Sequence, residues 1–201
     1  IPYQAYYCIM RGSTPVMATF NRIYLVQQHI DDKNLDWLMY MDADILMINQ
    51  EFDPRSICEE NKDKAFVFCR GASDDKIWDV NAGVFFCNLK HPMTKKILKK
   101  WKKNTEKIFP DERLGTITSL VDMGGYDDQS ILQNIFEEYA KKNNINWLKT
   151  YSHDESDKFN YNGPNVKQFL RPNDGSMSLQ SRIQRIKDYI SQNMQEFFQQ
   201  P

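Results

Sequence analysis

Asp36-Trp37-Leu38-Met39-Tyr40-Met41-Asp42-Ala43-Asp44-Ile45-Leu46-Met47-Ile48-Asn49 is the stretch on which the fold turns. Trp37 to Met41 is too short an apolar run for a helix and stops abruptly at a carboxylate, which predicts a central buried strand. Two carboxylates at i and i+2 of an extended chain point to the same side, so Asp42 and Asp44 are placed to share one cation. Hard oxygen ligands suit Mg²⁺ or Mn²⁺, which leaves further positions for substrate phosphates and water. The competing reading is a turn capped by two aspartates on the way into Ile45-Leu46-Met47. The immediate return to apolar residues weighs toward the cation, because bare carboxylates between two apolar runs are costly to bury.

Working outward, Ala5 to Met10 reads as a strand, broken by Gly12-Ser13-Thr14-Pro15 before a helical pattern through Phe20, Ile23, Tyr24, Val26 and Ile30. Ala65-Phe66-Val67-Phe68-Cys69 and Val84-Phe85-Phe86-Cys87 repeat the short apolar run, and Pro92 opens a helix carrying Ile97, Leu98 and Trp101. A helix over 128–142, a strand over 146–151 and an amphipathic terminal helix with Leu179, Ile183, Ile186, Ile190, Met194 and Phe197 follow. The segment 151–172, rich in Asn, Asp, Ser, Gly and Pro, is expected to be irregular surface chain. Alternating strands and helices predict an α/β fold with a central, mostly parallel sheet flanked by helices. In such sheets ligands bind beyond the carboxyl ends of the strands, where Asp42 and Asp44 fall.

Composition limits the alternatives. The 201 residues are 41% hydrophobic and 13% aromatic, enough for one sizeable core, and no linker divides them, so a single domain over 1–201 is expected. Charged residues are 26% of the chain and cancel to −1, which argues against a nucleic-acid partner. The lysines between Lys90 and Lys107 suggest a weak peripheral membrane contact, with a solvated helix face favoured over it. Neither a signal peptide nor an apolar run of spanning length is visible, and Cys8, Cys58, Cys69 and Cys87 match no zinc or redox spacing. Buried free thiols, a soluble protein and a cytoplasmic location are the expectations.

At this point the stretch Asp36 to Asn49 resembles the Asp-x-Asp signature of nucleotide-diphospho-sugar glycosyltransferases with the GT-A (Rossmann-like) fold, closest to the galactosyl-, mannosyl- and xylosyltransferase group. Asn81-Ala82-Gly83 is similar to that group's Asn-x-Gly segment, and Asp127-Asp128-Gln129 to its Asp-Gln segment. The resemblance covers about 3–171 and implies a metal-dependent transfer of sugar from a UDP- or GDP-sugar to a hydroxyl acceptor such as a glycan. It implies Mn²⁺ or Mg²⁺ at Asp42 and Asp44, with Asp42, Ala43, Asp44, Asn81, Ala82, Gly83, Gln129 and Arg22 facing the donor. The family begins one strand and helix earlier, so the chain is expected to be a fragment whose base-recognition unit lies outside it. The family's late metal-ligating His is absent from Val166-Lys167-Gln168-Phe169-Leu170-Arg171-Pro172; Gln168, His153 or water are the substitutes left open. Lys167 or Arg171 is expected to neutralise the leaving diphosphate.

Asp127 and Asp128 are the candidate catalytic carboxylates, as general base or as stabiliser of a cationic sugar. Either also reads as an ordinary helix start after Gly124-Gly125-Tyr126. The resemblance mildly favours retention of anomeric configuration. Two rivals stand beside this reading. A haloacid dehalogenase-type phosphohydrolase also carries Asp-x-Asp after a strand, but Leu46 occupies the position where it has Thr or Val, and the Asn-Ala-Gly segment has no role in it. A sugar- or nucleotide-binding module without turnover is the second.

Overall fold

The computed structural model describes residues 19–109, 126–155, 159–161, 163–169 and 179–193. The expected strand at Ala5–Met10, the Gly12–Pro15 break, Cys8 and Arg171 lie outside them. Along the described chain run α1 (Asn21–Gln28), β1 (Trp37–Met41), β2 (Ile45–Met47), α2 (Arg55–Glu60), β3 (Phe66–Arg70) and β4 (Val80–Asn88). They are followed by α3 (Pro92–Ile108), α4 (Asp128–Ala140), β5 (Leu148–Tyr151), β6 (Val166–Gln168) and α5 (Leu179–Asn193). The architecture is the mixed α/β arrangement expected, a central sheet flanked by helices.

The sheet has the order β1-β4-β3-β5. β1, β3 and β5 run in one direction, but β4 is inserted between β1 and β3 and runs against both, so only β3 and β5 pair in parallel. The expectation of a mostly parallel sheet is corrected on this point: the sheet is mixed. A single reversed strand was invisible in the periodicity because every one of these strands is covered on both faces, and buried strands read as continuous apolar runs whatever their direction.

Alternation sorts the core into two layers. Phe66 and Phe68 face α1, α3 and α4 with Ile23, Val26, Ile97, Leu98, Trp101, Ile131 and Phe136, while Val67 and Cys69 face the other side with Ile57, Phe159 and Val166. On β4 the alternation changes phase. Val80 and Ala82 share the helical face with Phe85 and Cys87, although Val84 and Phe86 face away. The cause is a register break: Phe68 opposes Phe85 while the next residue, Cys69, opposes Asn81. Irregularities of this kind bend a strand and re-aim its side chains, and here the extra residues are Ala82, Gly83 and Val84.

Helix starts follow local chemistry. His91 accepts from the Met93 amide with Pro92 at the first helical position of α3, and Asp127 and Ser130 form a reciprocal capping box on α4. The lysines of α3 pair outward, Lys95 with Asp31 and Lys100 with Glu138, while Lys96 lies over Tyr139 and Lys102 over Tyr24. Cys58, Cys69 and Cys87 are free thiols, as expected. Within 151–172, read as irregular, Val166–Gln168 forms a short strand paired with β2. Three residues with Lys167 in the middle have no strand signal of their own, and the pairing comes from the partner. No helix of the described residues is long and apolar enough to cross a membrane.

Candidate active site

β1 ends at Met41, and the aspartates that follow occupy a turn closed by the Ile45 amide on the Asp42 carbonyl at 3.1 Å. The extended-chain premise for placing both carboxylates on one side therefore does not hold, and their positions follow from the turn. The Asp42 amide donates to the Gly83 carbonyl at 2.8 Å, which ties this turn to the irregular part of β4.

Arg22 organises the inner half of the site. Its Nε lies 2.6 Å from Asp128 Oδ2 and its Nη2 3.3 Å from Asp42 Oδ1, Nη1 donates to the Ala82 carbonyl, and the guanidinium sits 5.1 Å above the Tyr40 ring. Tyr40 completes the hold on Asp42, its hydroxyl donating to Oδ1 at 2.8 Å. Arg22 is 6% exposed and Asp128 2%, so this pair is stripped of water. Burial pushes the Asp128 carboxyl up to about 6; Arg22 opposes the rise, and Asp127 and Asp42 add to it. Burial likewise raises the Tyr40 phenol, keeping it a donor.

The remaining motif residues converge on the same place. The Ala82 amide donates to Gln129 Oε1 at 2.8 Å, the Gly83 amide donates to Asn81 Oδ1 at 2.8 Å, and the Trp101 indole donates to the Asp128 carbonyl at 2.8 Å. Asp127 has a local task, accepting from the Ser130 amide at 2.6 Å. The start of α4, with the positive end of its dipole, thus faces the carboxyl end of β1.

The outer half is built differently. Asp44 Oδ2 pairs with Arg182 of α5, whose Nε donates to the Phe169 carbonyl at 2.7 Å, while Asp44 Oδ1 is buried without a partner. Burial holds the Arg182 guanidinium below its ordinary range, with the field of Asp42 acting the other way. The Phe169 amide donates to the Asp44 carbonyl at 3.0 Å, which sets β6 beside the turn. Gln168, next along, is buried against Gly83: a β-carbon on Gly83 would stand 2.5 Å from Gln168 Nε2. Like Asp44 Oδ1, Gln168 Oε1 has no partner among the described residues.

Among the predicted residues, Arg22, Asp42, Ala82, Asp128 and Gln129 form one bonded network, with Asn81 and Gly83 beside it and Ala43 between the two aspartates. Lys167 lies on β6 opposite Leu46, with its ammonium 4.9 Å from the Tyr189 ring of α5. His153 contacts Asp74 Oδ2 at 2.9 Å and the Gly71 carbonyl at 2.7 Å, in a loop braced by Asp79. No cluster of three or more His, Cys, Asp or Glu side chains is present among the described residues. Arg182, Tyr40 and the contact of Gln168 with Gly83 were not anticipated. Only Gly83 left a trace, as a glycine inside a strand.

No family model matches the sequence, and no curated protein matches it. Solved structures similar to the chain include a glycosyltransferase involved in glycosylation of the major capsid of PBCV-1, at 12% identity over 87% of this chain and 77% of that one, with a TM-score of 0.48. Two structures of the glycosyltransferase GlyE from Streptococcus pneumoniae TIGR4 are also similar. The apo form has 18% identity over 90% of this chain and a TM-score of 0.49, the other 22% over 70% and 0.42. The chain spans 45% and 29% of the length of those GlyE chains. Likeness at this level carries no chemistry across, and the side chains of the site decide what it can do.

Proposed function

We propose that this chain is a glycosyltransferase domain that binds a nucleotide-diphosphate sugar at the carboxyl end of β1 and transfers the sugar to a hydroxyl acceptor. The observation that carries the proposal is the Arg22 hub, which joins the Asp-x-Asp turn, the Asn-Ala-Gly bend and the Asp-Gln helix start across 20 and 60 residues of chain. A divalent cation fits the outer half. Asp44 Oδ1 and Gln168 Oε1 are buried oxygen acceptors without partners, and oxygen-only donors suit Mn²⁺ or Mg²⁺. Asp44 would hold it, with Asp42 across the turn and Gln168 in place of the absent His. Bound there, the cation would supply charge to the departing diphosphate.

The chain's own residues do the rest. Transfer breaks the bond from the anomeric carbon to phosphate oxygen and forms one to the acceptor oxygen, whose proton passes to the departing diphosphate oxygen or to water. Asp128, 2% exposed and lying against Arg22, is walled off from an acceptor hydroxyl. It acts as a positioning residue that fixes the guanidinium, and through it Asp42 and the Ala82 carbonyl. Phosphohydrolase chemistry is disfavoured, because an Asp42 carboxylate held by a phenol and a guanidinium is a poor nucleophile.

Calorimetric titration of UDP, GDP and their sugars with and without Mn²⁺, on the wild type and Asp44→Ala, tests the proposal. Nucleotide binding that requires Mn²⁺ and is lost in Asp44→Ala supports it, as does slow donor hydrolysis without acceptor. Hydrolysis of simple phosphate esters, or nucleotide binding indifferent to metal and to Asp44, overturns it.

A further inference from the structure

The geometry points to Arg182 as a mobile second cation of the donor site: it holds Asp44 in the empty protein, cedes that carboxylate to the divalent cation, and moves onto the diphosphate. This rests on the reading of Asp44 as a cation ligand and adds a residue from an element the motifs do not reach. The Arg182 side chain is 13% exposed and that of Asp44 17%, so the pair sits at the edge of water rather than in the core. Arg182 holds Oδ2 and the cation would take Oδ1 of the same carboxylate, so two positive charges would meet across one carboxyl group and each would weaken the other's hold.

The helix that carries Arg182 is suited to shifting. Most side chains of α5 face solvent, and Ile183 is 43% exposed. Its attachment to β6 runs through Arg182 on the Phe169 carbonyl, Tyr189 edge-on to Phe169 at 5.5 Å, and Lys167 over Tyr189. Arg182 and Tyr189 lie two turns apart on one side of the helix, and local opening of a solvent-exposed element is cheap. When a diphosphate arrives it offers the displaced guanidinium a planar, bidentate oxygen pair, the partner for which Arg is best shaped. Metal alone should loosen α5, and metal with nucleotide should close it again.

The two halves of this exchange predict opposite signs for one substitution. In Arg182→Ala, Mn²⁺ alone binds about tenfold more tightly, while UDP or GDP at saturating Mn²⁺ binds about tenfold more weakly, each about 1.4 kcal/mol. Arg182→Lys keeps a charge without the fork and falls between. Gln184→Ala, on the same helix and bonded to Asp188, leaves both affinities unchanged. Calorimetry reads these constants. Hydrogen exchange over 179–193 in the wild type needs no variant: exchange rises with Mn²⁺ and falls again when the diphosphate is added. Weakening of both affinities in Arg182→Ala marks a merely structural role and overturns the proposal, as does an unchanged Mn²⁺ constant or an α5 indifferent to Mn²⁺. A wild type that binds neither Mn²⁺ nor nucleotide takes down the donor-site reading itself, and this inference with it.

Discussion

The inner and outer halves of the site are a few residues apart and differ in how their polar groups are satisfied. Around Arg22 the carboxylates have protein partners: Asp128 has the guanidinium, and Asp42 has the guanidinium and a phenol. Around Asp44 two buried acceptors have no hydrogen-bond partner among the described residues, and the guanidinium in contact comes from a solvent-facing helix. A charge-paired network fixes geometry, although Asp128 Oδ2 is held by the ion pair alone and makes no hydrogen bond among the described residues, and the Asp42 side chain remains 25% exposed. An unsaturated one is less stable by itself and is where a ligand gains most, since an unmet buried acceptor costs about 1–3 kcal/mol until something fills it. Framework and receptor are thus separated across a single turn.

That contrast is broken or upheld by stability measurements. Arg22→Met should be the most damaging change, at about 3–5 kcal/mol, because it leaves buried carboxylates without a counter-charge. Denaturant unfolding checks it, and pairing it with Asp128→Leu should restore part of the loss. Gly83→Ala should cost about 1–3 kcal/mol, because its new methyl collides with Gln168 and Asn81. Asp127→Ala, which removes the cap of α4, should cost about 1 kcal/mol. Asp44→Asn should lie within about 0.5 kcal/mol of the wild type, since it touches only the unsaturated half. A large loss there would erase the distinction.

A pH series sharpens the same comparison. The Asp128 carboxyl is raised to about 6 in the folded protein against an ordinary 3.8, so between those values the folded state binds more protons than the unfolded one. Its contribution to stability is fully present below pH 3.8 and is lost as pH rises through 6. Asp128→Asn should flatten that part of a plot of unfolding free energy against pH, and Asp44→Asn should leave it in place.

The legible part of the molecule was the part whose local chemistry is self-sufficient. Trp37–Met41 is a strand to the residue, α4 begins at Asp128 after its cap, and Pro92 opens α3. β4 was read as Val84–Cys87 and is longer, because Asn81 and Gly83 carry no strand propensity and are held by register with β3 and by the Asp42 turn. Arg22 and Asp128 were named from motif position, yet their contact could not be, since a charged residue on a helix gives one signal whether it faces water or a buried partner. Arg182 was hidden for the same reason, among the charges of an amphipathic helix whose apolar stripe drew the attention.

The phase change in β4 also has a bearing on how this protein tolerates variation. A regular strand transmits any insertion along its whole length, swapping the faces of every later residue. Here three residues lie outside the common register with β3, so β4 pairs with that strand in two separate blocks, Val80–Asn81 and Phe85–Cys87. The aromatic stack of Phe85 on Phe68 at 4.9 Å anchors one block, while the buried Val80 and Ala82, with Gly83 closed in by Gln168, anchor the other. A one-residue change at the interruption is therefore expected to shift fewer side-chain faces than one inside either block.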